Sequence, residues 1–247
     1  MENAENSSNQ EEQKQEMMRS ILGERLEQRY VKVLLPTNGA FYEKEVEIRP
    51  YTFEDERQAL DLKVKSSDFM NVLFDRCIKG INIKDLVPID RNYLIFKIKQ
   101  ITSGLDVVMD TECDSCGENH KVNIDLSELT TVVLPEDFKL PIKLTLPEIE
   151  KEAEVTPMKV SDEKLTSSFD KLGKNIWRFV NSIHGVDDSS ILREVIDKLP
   201  IQDVHEIIKA VTLSEYGISP TINLLCDSCG GESEKEIPID ANFLGMS

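Results

Sequence analysis

Cys113-Asp114-Ser115-Cys116-Gly117 recurs unchanged as Cys226-Asp227-Ser228-Cys229-Gly230. In each copy two thiols stand three positions apart and a glycine follows the second. That spacing lets two sulfurs close on one metal ion at the tip of a hairpin, with the glycine turning the chain back through a positive φ. Two such knuckles supply four thiolates, a complete tetrahedral set for zinc. Cys77, the fifth cysteine, stands alone. The obstacle is separation: 109 residues lie between Cys116 and Cys226, against the ~12 to 20 of ordinary zinc ribbons.

The flanking sequence accounts for the gap. Pro50-Tyr51-Thr52-Phe53-Glu54-Asp55-Glu56 precedes the first knuckle, and Pro157-Met158-Lys159-Val160-Ser161-Asp162-Glu163 precedes the second. Phe74 and Ile78-Lys79-Gly80-Ile81 align with Phe179 and Ile183-His184-Gly185-Val186. After an insertion in the second copy, Val87-Pro88-Ile89-Asp90 aligns with Leu199-Pro200-Ile201-Gln202, and Gln100-Ile101-Thr102 with Ala210-Val211-Thr212. Past the knuckles, Val122-Asn123-Ile124-Asp125 matches Ile237-Pro238-Ile239-Asp240. These matches read as a tandem duplication of a unit of roughly 110 residues, so the long gap is one repeat length. Halves related by a pseudo-twofold axis bring their hairpin tips together, and one zinc per chain, on Cys113, Cys116, Cys226 and Cys229, staples half to half.

The predicted fold class is α+β: a duplicated unit of two strands, helices and a β-hairpin zinc knuckle, with the halves joined by the shared four-cysteine site. Residues 1–29 form a tail plus an amphipathic helix. Residues 30–135 form the first repeat, with its knuckle at 113–117, and 136–247 the second, with its knuckle at 226–230. Residues 1–16 hold almost nothing apolar and are expected to be a disordered tail. Met18, Ile21, Leu22 and Leu26 recur at helical spacing between Met17 and Arg29, so that stretch reads as a helix in need of a partner surface.

Val31 to Leu35 and Val46 to Ile48 read as strands around a turn at Pro36-Thr37-Asn38-Gly39. Helices are expected over 53–64, 67–79 and 90–102, with Ser67 and Asp90 as N-caps and Gly80 as a stop. Leu105 to Glu112 and His120 to Leu126 make the first knuckle hairpin. In the second half, strands are expected over 140–146 and 153–155, helices over 161–171, 174–184, 188–198 and 201–215, and a hairpin over 221–240. The helix near Ser190 to Lys198 has no counterpart in the first copy.

Composition narrows the function classes. The 247 residues are 40% hydrophobic, enough for a sizeable core. Forty-six acidic residues against 29 basic ones give a net charge of -17, and no basic cluster interrupts it. Such a field repels phosphates, which argues against a nucleic-acid or anionic-membrane partner. No apolar run approaches the ~20 residues of a membrane span. The opening MENAENSSNQEEQKQE lacks the basic start and apolar core of a secretory signal, which points to a reducing cytoplasm where cysteines serve as metal ligands more than as disulfides.

Leu35-Pro36-Thr37-Asn38-Gly39-Ala40-Phe41-Tyr42, then Glu47-Ile48-Arg49-Pro50-Tyr51-Thr52-Phe53-Glu54-Asp55-Glu56, then a leucine-rich helix ending in a C-x-x-C-G knuckle, resemble the baseplate hub protein family of T-even-like contractile-tailed bacteriophages. The resemblance covers residues 30–245. It implies a non-enzymatic part or assembly factor of the tail baseplate, working with other hub proteins and near the tape-measure protein, in the virion tail or in the host cytoplasm during assembly.

Competing readings accompany each feature. The knuckles could be free thiol pairs, or each could hold its own metal, the first through Cys113, Cys116 and His120. The second copy has no histidine at that place, so His120 reads as a surface residue. His184 and His205 read as helical surface residues, Cys77 as a small core residue and Trp177 as core. Leu172-Gly173-Lys174-Asn175 is no Walker loop, and neither a nucleophile elbow nor H-E-x-x-H occurs. Four thiolates close the zinc sphere and leave no water to activate, so the metal is structural. Against the baseplate reading stand a zinc-ribbon factor of the transcription machinery, supported by the four cysteines alone, and a hydrolase built from scattered carboxylates. Salt-dependent DNA binding would mark the former.

Overall fold

The computed structural model describes residues 13–23, 29–61, 66–239 and 243. The chain divides into two units, Met1–Val31 and Lys32–Ser247. In the first, helix α1 spans 13–22, starting ahead of the expected Met17, and Gly23 follows with φ +56. Met17, Met18, Ile21 and Leu22 all lie exposed along it, Ile21 at 76%. Leu26 and residues 1–12 of the expected tail lie outside the described residues.

Strands β1 (Val31–Leu34), which begins at the last residue of the first unit, and β2 (Glu45–Ile48) come next. Helices α2 (Phe53–Asp61) and α3 (Ser66–Asp75) follow, and β3 (Ile78–Lys79) completes a sheet in the order β1-β2-β3. Then come α4 (Pro88–Ser103) and the antiparallel hairpin of β4 (Asp106–Glu112) and β5 (Asn119–Asp125). After the short β6 (Thr131–Val132), a second three-stranded sheet forms from β7 (Ile142–Leu146), β8 (Lys151–Val155) and β9 (Val180–Ile183), with α5 (Glu163–Thr166) and α6 (Phe169–Asn175) inserted before β9. Helices α7 (Ser189–Ile196) and α8 (Ile201–Thr212) lead through β10 (Gly217–Ile218), which pairs with β6, to the hairpin β11 (Thr221–Leu225) and β12 (Glu232–Glu236).

Local chemistry explains several of these starts. At α2, the Asp55 carboxylate accepts the Thr52 amide at 2.9 Å while the Thr52 hydroxyl accepts the Asp55 amide at 3.3 Å, a reciprocal cap. Ahead of α5, Asp162 accepts the Lys159 amide at 2.9 Å. α4 begins at Pro88, whose missing N–H costs nothing in a first turn. Asp90, expected to cap that helix, is instead its third residue and fully buried. It accepts from the Thr37 amide at 3.1 Å, the Thr37 hydroxyl at 2.6 Å and the Tyr42 hydroxyl, and so ties the Leu35–Tyr42 loop to α4.

Two expected helices end in strands instead. Residues 78–79, read as the close of a helix over 67–79, pair antiparallel with β2 through Ile78 to Ile48 and Lys79 to Glu47. Residues 180–183, read as part of a helix over 174–184, pair with β8 through Val180 to Val155 and Ile183 to Ala153. Segments this short fit both periodicities, and here an open strand edge decided the matter. The helix expected over 161–171 breaks at Ser168, whose hydroxyl accepts the Lys171 amide at 3.3 Å and starts α6 afresh.

Apolar side chains form two main cores. The first gathers Leu73, Phe74, Cys77, Ile83, Leu86, Leu94, Phe96 and Ile98, with Val107 and Ile124 of the first hairpin. The second gathers Leu146, Ala153, Val155, Ile176, Phe179, Ile207 and Val211. Ile222 and Leu224 of β11, with Ile237 and Ile239 beyond β12, pack on the first core, so both hairpins share it. A smaller cluster of Val87, Ile89 and Leu213 links the start of α4 to the end of α8. There Gly217 presses so close that a Cβ on it would lie 2.9 Å from Cβ of Ile89.

Candidate metal centre

Each CDSCG segment closes its hairpin with the same backbone pattern. The Cys113 amide donates to the Glu118 carbonyl and the Gly117 amide to the Cys113 carbonyl, both at 2.9 Å. In the second knuckle, the Cys226 amide donates to the Gly231 carbonyl at 2.9 Å and the Gly230 amide to the Cys226 carbonyl at 2.8 Å. Gly117 and Gly230 take φ of +74 and +69, the left-handed turn expected after the second cysteine.

The two tips meet. Sγ of Cys113 lies 3.8 Å from Sγ of Cys229, and Sγ of Cys116 lies 3.7 Å from Sγ of Cys226. All four sulfurs fall within 4.8 Å of one another. These separations are too long for a disulfide, and all four cysteines are free thiols. They match the ~3.8 Å edge of a sulfur tetrahedron around an ion with bonds of about 2.3 Å, the zinc–thiolate length. Cys113 and Cys226 are buried, whereas Cys116 and Cys229 are exposed.

The electrostatics are compatible with a cation. The amides of Cys116 and Ser115 draw the Cys113 thiol down to about 6. At Cys116 the Glu118 amide pulls downward too, but Cys229, desolvation and the other two thiols outweigh it and hold the thiol at about 12. Without a cation one thiolate therefore opposes the next. A divalent ion such as zinc would remove that opposition, because thiolates are its preferred ligands and bind deprotonated.

Other contacts lock the tips together. Lys235 of β12 pairs with Asp114 of the first knuckle. Gly231 faces Ser115 so closely that a Cβ on the glycine would meet the serine Oγ at 2.7 Å and Sγ of Cys229 at 3.2 Å. His120, read from sequence as a surface residue, is half-buried in β5, with Nε2 3.1 Å from Sγ of Cys226 in the opposite knuckle. Its strand position corresponds to Ser233 in β12, since His120 pairs with Thr111 and Ser233 with Leu224, each one step inside the last pair of its ladder. No spacing rule reveals a contact that depends on how two hairpins cross. Beside it, a cleft of about 240 Å³ lies between the hairpins, lined by Glu112, His120, Lys121, Leu225, Asp227 and Ser233 among others.

The remaining singled-out residues lie apart from this chemistry. Cys77 is fully buried in the first core, and burial pushes its thiol up to about 12. His184 and His205 are exposed, His184 in the turn after β9 rather than in a helix. Trp177 packs half-buried on the second core, its indole N–H donating to the Lys174 carbonyl at 3.0 Å. Among the described residues, no helix is long and apolar enough to cross a membrane.

No curated protein and no solved structure matches the chain. The family model described as T4 bacteriophage base plate protein matches residues 27–245, a span that takes in both sheets, both hairpins and all four clustered thiols. The chain belongs to that family, the T4 bacteriophage base plate proteins.

Proposed function

We propose that the protein is a non-enzymatic structural or assembly component of the baseplate hub, made of two copies of one unit that a single structural zinc holds together. The observation that carries this reading is the convergence of Cys113, Cys116, Cys226 and Cys229, from two identical pentapeptides, within 4.8 Å inside a chain of a base plate family. Cys113 and Cys116 would hold the ion from one hairpin, Cys226 and Cys229 from the other. The ion supplies cross-linking alone, since four sulfurs fill its coordination sphere.

The division into 30–135 and 136–247, behind a leading 1–29, draws support from matching details. Pro50 follows β2 as Pro157 follows β8, and the aligned Asp55 and Asp162 each accept the amide three residues back. Thr102 and Thr212 each donate a hydroxyl hydrogen bond to the carbonyl four residues back at 2.7 Å. Asp90, and Asp203 one position past the residue aligned with it, each accept an amide from the loop between the first two strands of their half. α7 occupies the place where the second copy is longer.

The natural partners are other hub proteins and the tape-measure protein, in the virion tail or in the host cytoplasm during assembly. Met18, Ile21 and Leu22 of α1, with Leu26 beyond the described residues, offer the apolar stripe for such a contact, in the manner of a helix laid into a groove.

Elemental analysis of the purified chain tests the metal reading: one zinc equivalent is expected, and two or none would overturn it. Co-migration with hub assembly intermediates tests the role. Ile21→Asp combined with Leu22→Asp should abolish a micromolar contact without moving the melting curve, because burying each side chain contributes roughly 1.5–3 kcal/mol. A lowered melting temperature with binding intact would assign the helix to the chain's own core.

A further inference from the structure

We infer that His120 is a positioning residue for the metal, donating its Nε2–H to the Cys226 sulfur and setting how tightly the ion is held; the inference rests on the zinc reading above. Four thiolates around a divalent cation carry a net charge of about −2, inside a chain whose own net charge is already -17. N–H donors close to the sulfurs offset that excess. Three of the sulfurs have one within 3.4 Å. The Ser115 amide points at Sγ of Cys113 and the Gly231 amide at Sγ of Cys229, each at 3.4 Å. Cys226 receives His120 Nε2 at 3.1 Å, the shortest of the three and the one that comes from a side chain of the opposite hairpin.

A metal-bound thiolate can only accept, which fixes the hydrogen on Nε2 in this contact. The bond draws charge from the buried Cys226 sulfur and holds it at one point of the tetrahedron. It also ties β5 to the second knuckle from one side, while Lys235 to Asp114 ties β12 to the first knuckle from the other. Each hairpin thus reaches across by one side chain, but the imidazole alone touches a sulfur. Ser233, at the equivalent strand position, lacks its reach, so the two halves of the centre are electronically unequal.

The test uses the full-length chain loaded with Zn2+ or with Co2+ as a spectroscopic substitute, comparing wild type with His120→Ala and His120→Gln. Wild type should show a four-thiolate cobalt spectrum. His120→Ala should keep one metal equivalent, but its sulfur-to-cobalt charge-transfer band should move to longer wavelength, and zinc transfer to a chromophoric chelator should accelerate about 10- to 100-fold. His120→Gln, which restores an N–H, should recover part of both changes, and it tests the same bond should the alanine chain fail to fold. An unchanged band and release rate in His120→Ala would overturn the inference, as would a wild-type spectrum of three thiolates and one imidazole, which would make His120 a ligand. A wild-type chain that takes up no metal would instead sink the zinc reading itself.

Discussion

Residues 31–125 and 142–236 each hold a three-stranded sheet, a helix that starts at or just after a proline, and a knuckled hairpin, yet they are held together differently. The first is locked by buried polar groups. Arg49 grips Asp55 through two bonds of 2.7 and 2.9 Å, Arg76 adds a third at 3.1 Å, and Asp90 takes three donors from one loop. In the second, Asp162 is only half-buried, and Asp203 accepts the Glu148 amide at 2.8 Å while its other oxygen has no partner among the described residues. The second hairpin packs on the other region's core. The lesson is that the first region carries its own fixings, whereas the second depends on the first through its hairpin, the Val87–Leu213 cluster and the thiol centre.

The largest expected effect breaks that dependence directly. Chelating the proposed metal, or Cys226→Ser, should remove a cross-link that would close a loop of ~100 residues, and long loops gain the most from such clips. A loss on the order of 5 kcal/mol is expected by the loop-closure value for a covalent link. Calorimetry should then show the second region melting ahead of the first, and a single unchanged transition would count against the asymmetry.

Arg49→Ala comes next. It strands Asp55 in a site where the two side chains are 5% and 3% exposed, and removing one partner of a buried pair costs about 3–5 kcal/mol. The same pair governs acid behaviour. Burial alone would raise the Asp55 pKa, but Arg49, the amide and hydroxyl of Thr52, and Arg76 together hold it well below the usual carboxylate range. A depressed native pKa stabilises above the unfolded value of about 3.9 and is lost as pH falls below it. Acid titration followed by circular dichroism should therefore unfold wild type below about pH 4, and Arg49→Ala should flatten that limb. Asp90 works in the opposite sense, because burial raises it despite the Thr37 and Tyr42 hydrogen bonds, so acid favours the fold there.

Gly217→Ala probes the contact between the regions. Its Cβ would sit 2.9 Å from Cβ of Ile89 at a φ of +88, and overpacking of this kind costs about 1–3 kcal/mol in a denaturant melt. Smallest is Asp162→Ala, which removes one amide acceptor at a helix start for about 1 kcal/mol. Asp55→Ala at the aligned position should cost several times more, since it also leaves Arg49 buried without its carboxylate. Equal costs at the two sites would erase the distinction between the regions.

Much of this was legible in the chain. The repeated pentapeptide located both hairpin tips and the four sulfurs, because metal-ligand spacing and turn glycines are local signals. The strands at 78–79 and 180–183 were not legible, since segments of two and four residues carry no decisive period and their state is set by a distant edge. Asp90 looked like a cap because its side chain suits that role, and only the approach of Thr37 and Tyr42 turned it inward. The contact of His120 with Cys226, across 106 positions, arises from the crossing of two hairpins that no local pattern encodes.

The wide spacing of the thiols has a consequence for how the chain is made. The first knuckle leaves the ribosome 109 residues ahead of the second cysteine pair, which at ~5–20 residues per second is a delay of roughly 5–20 s. Throughout that interval Cys113 and Cys116 offer half a coordination sphere and can retain an ion only weakly. On the zinc reading, capture of the metal would become firm only once the second knuckle has emerged and its hairpin has joined the first core. A chain cut short ahead of Cys226 should bind no ion tightly, so metal content would report whether translation reached the second knuckle.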